Sequence, residues 1–201
     1  MENVKFTEKE SLELITSMIQ TTKRNLKVGD GNQFLLWGYL TVLTTLSVYL
    51  SLMLTQSAYS YYLFFIIPVI GFPVAYYYKS KDGENNVTTY SDRIIEAIWK
   101  VMGTVSTVLI LLMSMIVFKD CSIVPAFVLI VISLGSCVTG VVLKEKIFNT
   151  SYLGFLAGIY MFYYVPSKGM DDMMLLLFAL SFIFVMIIPG HVINHKAKEL
   201  C

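Results

Sequence analysis

Apolar residues gather into six long runs separated by shorter polar stretches. The runs are Phe34 to Leu54, Tyr59 to Tyr78, Ile94 to Phe118, Ile123 to Leu143, Thr150 to Val165 and Asp172 to Asn194. Each spans roughly 16 to 25 residues, and about 20 carry an α-helix across a bilayer. The expected fold is an all-α membrane bundle. Six transmembrane helices form three hairpins, preceded by a cytoplasmic amphipathic helix. The expected division is 1–32 for the amphipathic helix and turn, 33–195 for the transmembrane domain and 196–201 for a short cytoplasmic tail. The fifth run is the shortest.

The amino-terminal stretch has a different period. Leu12, Ile15, Ile19, Thr22 and Leu26 fall on one face of a helix over residues 7–27. Thr7 and Glu10 have capping-box spacing. Glu8, Glu10 and Glu13 near its start, and Lys23, Arg24 and Lys27 near its end, suit the helix dipole. Such a helix lies on the lipid surface, or docks a cytoplasmic partner, or covers the bundle. Gly29-Asp30-Gly31-Asn32 breaks it before the first run. The first 33 residues hold five basic and five acidic side chains, unlike a secretory signal. The first run is expected to be a permanent span that also targets the chain.

Charge then orients the runs. Thr55–Ala58, Lys119–Ser122 and Pro166–Asp171 together hold two basic residues, Lys119 and Lys168. The alternate polar segments hold twelve: Lys5, Lys9, Lys23, Arg24, Lys27, Lys79, Lys81, Arg93, Lys144, Lys146, Lys196 and Lys198. Basic residues in short loops mark the cytoplasmic side, so both termini are expected inside. Each even-numbered run also ends in a glycine followed by lysines, at Gly71, Gly140 and Gly190. This reads as a three-hairpin repeat or as the ordinary look of hairpins with basic inner ends. Composition agrees with a membrane solvent: 56% of the 201 residues are hydrophobic, 14% are charged and mean hydropathy is +0.69. The formal net charge of +1 gives no field that would draw nucleic acid.

Candidate chemistry is sparse. Asp92, Arg93, Glu96 and Lys100 open the third run. Charges in a membrane helix suggest function, but Glu96 and Lys100 are four apart and can pair, and lysine can snorkel to the interface. His191 and His195 are also four apart, a spacing able to share a metal. Further ligands would have to come from elsewhere, so no metal or cofactor is expected. Pro68, Gly71 and Pro73 interrupt the second run, and Pro189 with Gly190 the sixth. Proline frees a carbonyl one turn earlier, and broken helices can mark transport sites or ordinary packing. Gly154 and Gly158 form a small-xxx-small pair for close helix approach, and Ser136 with Gly140 could do the same. By this topology Cys121 falls outside, Cys137 within the membrane and Cys201 in the cytoplasm, too far apart for a disulfide. The sequons at Asn86 and Asn149 fall on the cytoplasmic side, where glycosylation is not expected.

The segments Glu10-Ser11-Leu12-Glu13-Leu14-Ile15, Phe34-Leu35-Leu36-Trp37-Gly38-Tyr39, Thr89-Tyr90-Ser91-Asp92-Arg93 and Ile188-Pro189-Gly190-His191 carry a likeness. With them the chain resembles a family of small uncharacterised six-helix inner-membrane proteins from Bacteroidetes-type bacteria. The resemblance implies a multi-pass protein of a bacterial inner membrane. It suggests roles for Trp37, Asp92 and Pro189-Gly190-His191, and brings no activity. The sequence holds no G-x-S-x-G elbow, H-E-x-x-H, P-loop or Gly-rich dinucleotide turn, so the expected function is non-enzymatic, through helix-mediated association with a membrane or cytoplasmic partner (residues 7–27) or as a homo-oligomer. The second expectation is a small transporter or channel with a path at the broken second and sixth helices. The third is an intramembrane enzyme using His191 with Asp92 or Glu96.

Overall fold

A computed structural model describes residues 29, 31–83, 90–116 and 123–199; of residues 58, 79, 81–83, 90 and 109–116 it describes the backbone alone. The amphipathic stretch 7–27, the Lys119–Ser122 linker, Asn86, Cys121 and Cys201 lie outside the described residues. Six helices and no strand occur among the described residues. They are α1 Asn32–Thr55, α2 Ile66–Gly83, α3 Tyr90–Ile116, α4 Val124–Leu143, α5 Ser151–Lys168 and α6 Asp172–Glu199. A 3-10 helix, Ala58–Phe65, leads directly into α2, and another, Lys146–Thr150, leads into α5.

Several boundaries differ from the apolar runs. The second run begins as 3-10 helix, and its α-helix continues past Tyr78 to Gly83. The third helix starts at Tyr90, before Ile94, with Asp92 in the first turn, where a carboxylate suits the dipole. The fifth runs through Pro166 to Lys168, shortening the expected Pro166–Asp171 linker. Gly169 closes it at φ +85°, its N–H bonded to the Val165 carbonyl at 2.8 Å. Asp171 starts α6 by accepting from Met174 N–H at 2.9 Å, and α6 continues through Glu199 over most of the expected tail.

Among the described residues four helical stretches are long and apolar enough to cross a membrane: Asn32–Thr55, Tyr59–Tyr78, Val124–Leu143 and Asp172–Glu199. Helices α3 and α5 are not among them. Helix α5 has 18 residues, and Tyr152, Tyr160, Tyr163, Tyr164, Pro166 and Lys168 dilute its apolar character. The distribution of side chains is that of a membrane bundle. Leu43, Leu50, Leu54, Phe65, Val69, Leu153 and Leu156 are exposed, while Thr41, Thr45, Ser133, Ser136, Thr139 and Ser151 are buried. Outward leucine with inward hydroxyls and glycine suits a hydrocarbon solvent, where helices associate by close packing and polar contacts.

Helices α1, α4, α5 and α6 make the centre. Helix α1 lies along α6, α4 along α5, and α5 along α6, whereas α2 packs on α1 and α3 on α4. The central pairs run antiparallel. On α1 and α6, Gly31 meets Asn194 while Gly38 meets Met186 and Ile187. On α4 and α5, Gly140 meets Phe148, Ser133 meets Gly154 and Ile130 meets Gly158. Near one end Phe34 packs edge-on between Trp99 and Phe148, at centroid distances of 5.7 and 5.4 Å. At the other, the Tyr164 hydroxyl donates to Asp171 at 2.9 Å, beside the α6 start.

Candidate functional site

Proline in the sixth run has a specific consequence. Residues Ile183–Ile187 form a π turn, in which Ile188 N–H bonds to the Ile183 carbonyl. One register on, Pro189 has no N–H to give. It therefore leaves Phe184 and Val185, its partners in the π and α patterns, short of a donor. Neighbouring helices supply one to each. Thr150 Oγ lies 2.8 Å from the Phe184 carbonyl, and Ser136 Oγ donates over a longer 3.4 Å to that of Val185. Val185 and Ser136 are fully buried. The break is thus sealed by protein hydroxyls, as hydrocarbon surroundings demand of any free carbonyl. A row of hydroxyls on α4 (Ser133, Ser136 and Thr139) is buried among the central helices. Ser133 and Ser151 keep hydroxyls without a partner among the described residues.

Past the break, Gly190 lets α1 approach. A Cβ on Gly190 would meet Leu35 at 2.9 Å and the Gly31 carbonyl at 3.0 Å. Asn194 then bridges the start of α1. It accepts from Gly31 N–H at 3.0 Å and donates to Asn32 Oδ1 at 2.8 Å. A helix start carries unpaired N–H groups, and Gly31 has no side chain to cap them, so α6 contributes the amide. His191 is exposed and stands 2.7 Å from the Tyr39 hydroxyl. The rings meet nearly edge-on at 5.9 Å. Beside Tyr39 a groove of about 420 Å³ is lined by Asn32, Leu35, Leu36, Leu40, Leu43 and Tyr78. The lining is largely leucine, and the phenol–imidazole pair at its edge joins α1 to α6.

The remaining candidates are dispersed. His195 faces Glu199 of its own helix at 3.3 Å, so the two histidines turn to different partners. Among the described residues no three of His, Cys, Asp and Glu could jointly hold a metal. Asp92, Glu96 and Lys100 ride on α3, whose packing neighbour is α4, whereas His191 faces α1. Trp99 fastens α3: its indole N–H donates to Thr139 at 3.2 Å and its ring lies 3.4 Å from the Cβ position of Gly135. Trp37 fastens α2 by filling the notch at Gly71 and meeting Phe72 edge-on at 5.5 Å. Pro68 sits in the first turn of α2 and Pro73 inside it. Gly158 faces Ile130 and the backbone of α4, while Gly154 faces Val185 and Ser133.

Three features lacked a signal in the notional runs: Thr150, Asn194 and the ion pair of Glu145 with Lys196. The spacing of Ser133, Ser136 and Thr139 could have marked the buried face of α4. The chain matches no protein-family model, no curated protein and no solved structure.

Proposed function

We propose that the chain is a non-enzymatic integral membrane protein that works through helix-mediated association in the bilayer. It crosses six times in three hairpins, with both ends in the cytoplasm. The alternating direction of the packed helices supports six crossings, and the basic residues at the ends of α4 and α6, Lys144, Lys196 and Lys198, support the orientation. A bacterial inner membrane is the location the family resemblance implies.

The observation that carries association is the face of α2. Within the most apolar part of Tyr59–Tyr78 only 11% of residues are buried, against 56% for Asp172–Glu199. Trp37 and Ser51 hold this segment from one side. The other side presents Tyr59, Tyr62, Phe65, Val69 and Tyr76, all well exposed, with Phe72, also exposed, at the border where Trp37 meets it. The 3-10 geometry eclipses residues three apart, so Tyr59, Tyr62 and Phe65 stack as a ladder at 6.1 and 6.2 Å. A rigid aromatic ridge gives a second membrane helix, from another copy or another protein, a preformed surface to pack on. The transport alternative draws less support, because Thr150 and Ser136 occupy the carbonyls that proline leaves open in α6.

The test places a photo-crosslinking phenylalanine analogue at Phe65, Val69 or Phe72 in intact membranes. The expected result is a discrete protein adduct, absent when the analogue replaces Leu153 on α5. Adducts with lipid alone at all three positions would overturn the proposal.

A further inference from the structure

The α4–α5 turn borders an open cleft of about 250 Å³, lined by Gly140, Lys144, Glu145, Lys146, Asn149 and Tyr152 among others. At roughly 30 Å³ per water, that is about eight water volumes, enough for a phosphodiester and its glycerol carbons. We propose that this cleft binds the phosphate of an anionic phospholipid. The inference rests on the reading above that this end of the bundle lies at the cytoplasmic face of the bilayer.

Charge selects the occupant. Lys144 and Lys146 both line the cleft and both are exposed. Glu145 lies between them in sequence, yet its carboxylate pairs with Lys196 of α6. Its side chain is only 16% exposed in that pair. The one acid of the turn is thus neutralised from outside. Two ammonium groups face the cleft without a carboxylate partner among the described residues.

The turn's backbone holds that arrangement. Lys144 adopts the left-handed conformation at φ +58°, unusual for a residue with a Cβ. Glu145 N–H bonds to the Gly140 carbonyl at 3.0 Å and Lys144 N–H to that of Val141 at 3.3 Å, closing α4 as a Schellman motif. Below the lysines the wall changes character. Val141 is 75% exposed and Tyr152 57%. They continue the cleft into the outer surface of the bundle, where an acyl chain would lie. Asn149 adds amide donors, and Tyr152 offers the amphipathic ring that favours the head-group level. A cationic head with an apolar exit matches a lipid phosphate better than a free anion. Basic pockets between helices on the cytoplasmic side are suited to such head groups.

The test uses purified full-length protein in nanodiscs of phosphatidylcholine containing a minor fraction of phosphatidylglycerol. Lipid released from the discs and lipid retained by the protein are compared by mass spectrometry. The wild type should retain phosphatidylglycerol above its bulk fraction. Each of Lys144→Gln and Lys146→Gln should reduce that preference about five-fold, and the double variant should abolish it. Lys198→Gln, at the same end but outside the cleft, should leave it unchanged. Lys144→Gly relieves the left-handed backbone, so its fold should be at least as stable while its preference falls, which separates binding from folding. Inorganic phosphate should not compete. Retained preference in the double variant, an equal loss in Lys198→Gln, or competition by inorganic phosphate would each overturn the proposal. Extraction of the chain by alkaline carbonate would instead sink the six-span reading, because an inserted protein that lacks lipid preference refutes the lipid site alone.

Discussion

Thr150, at the start of α5, places its hydroxyl 2.8 Å from the carbonyl of Phe184 in the π turn of α6. The same hydroxyl lies 2.8 Å from the carbonyl of Ile147, so a single proton serves two acceptors. This contact explains how a proline-containing helix can stay in the centre of the bundle. The missing N–H of Pro189 is replaced by a hydroxyl at the start of a neighbouring helix. Thr150→Val keeps the shape and removes the donor. It should cost about 0.6 to 1.7 kcal/mol, the range for hydrogen bonds between membrane helices. Reversible unfolding in mixed micelles measures it, and an unchanged midpoint would mean that the Phe184 carbonyl finds another donor.

Two glycines should respond in opposite ways to alanine. A Cβ on Gly158 would stand 2.7 Å from Ile130 Cγ1 and 3.1 Å from the Ile130 backbone nitrogen. The side chain can turn aside but the backbone cannot, so α4 and α5 must separate. Gly158→Ala should destabilise by about 1 to 3 kcal/mol. Around Gly103 on α3 nothing lies within 4 Å. Gly103→Ala should be neutral or stabilising by up to about 1 kcal/mol through helix propensity. Thermal aggregation of the two variants in one detergent compares them directly.

The two tryptophans hold the flanking helices, which makes their loss local. Trp99→Phe keeps a ring near Gly135 and removes the 3.2 Å bond to Thr139. About 0.5 to 1.5 kcal/mol should be lost, together with faster proteolysis within α3. Cleavage of α5 should stay unchanged, because among the described residues α3 packs chiefly on α4.

Much of the helical outline was legible in the pattern of residues, and its internal irregularities were not. The runs beginning near Phe34 and Ile123 give α1 and α4 nearly to the residue, because an uninterrupted apolar stretch needs no partner to be read. The 3-10 start of the second run and the π turn of the sixth are settled by packing. Pro189 marks that α6 must break, but it does not say that the irregularity falls at Ile183–Ile187 or which hydroxyls answer it. The fifth run shows the limit of hydropathy. Its four tyrosines keep it out of the set of strongly apolar helices, although its glycines seat it firmly on α4. His191 could be singled out as an unusual residue. Its partner Tyr39 lies 152 positions away, and no local spacing connects them.

The ion pair of Glu145 with Lys196 joins the α4–α5 turn to the last turns of α6. Lys196 is 45% exposed there, so solvent and salt screen part of the attraction. Lys196→Gln should lower stability by no more than about 1 kcal/mol at low salt. The difference should shrink at high salt, which parallel denaturation series at two ionic strengths would reveal. The variant also returns an unpaired carboxylate to the lysine turn, so retention of phosphatidylglycerol should fall as well.

Whether α5 crosses decides between six spans with both ends inside and any other topology. Single cysteines introduced into a background of Cys121→Ser, Cys137→Ser and Cys201→Ser can be probed with a membrane-impermeant maleimide on intact cells. The informative pair is Lys146→Cys, before α5, and Ser167→Cys, near its end. Labelling of Ser167→Cys in intact cells, with Lys146→Cys and Lys198→Cys reacting only after permeabilisation, is the predicted result. Equal protection of Ser167→Cys and Lys146→Cys, or labelling of Lys198→Cys from outside, would show that α5 does not cross and would contradict the account.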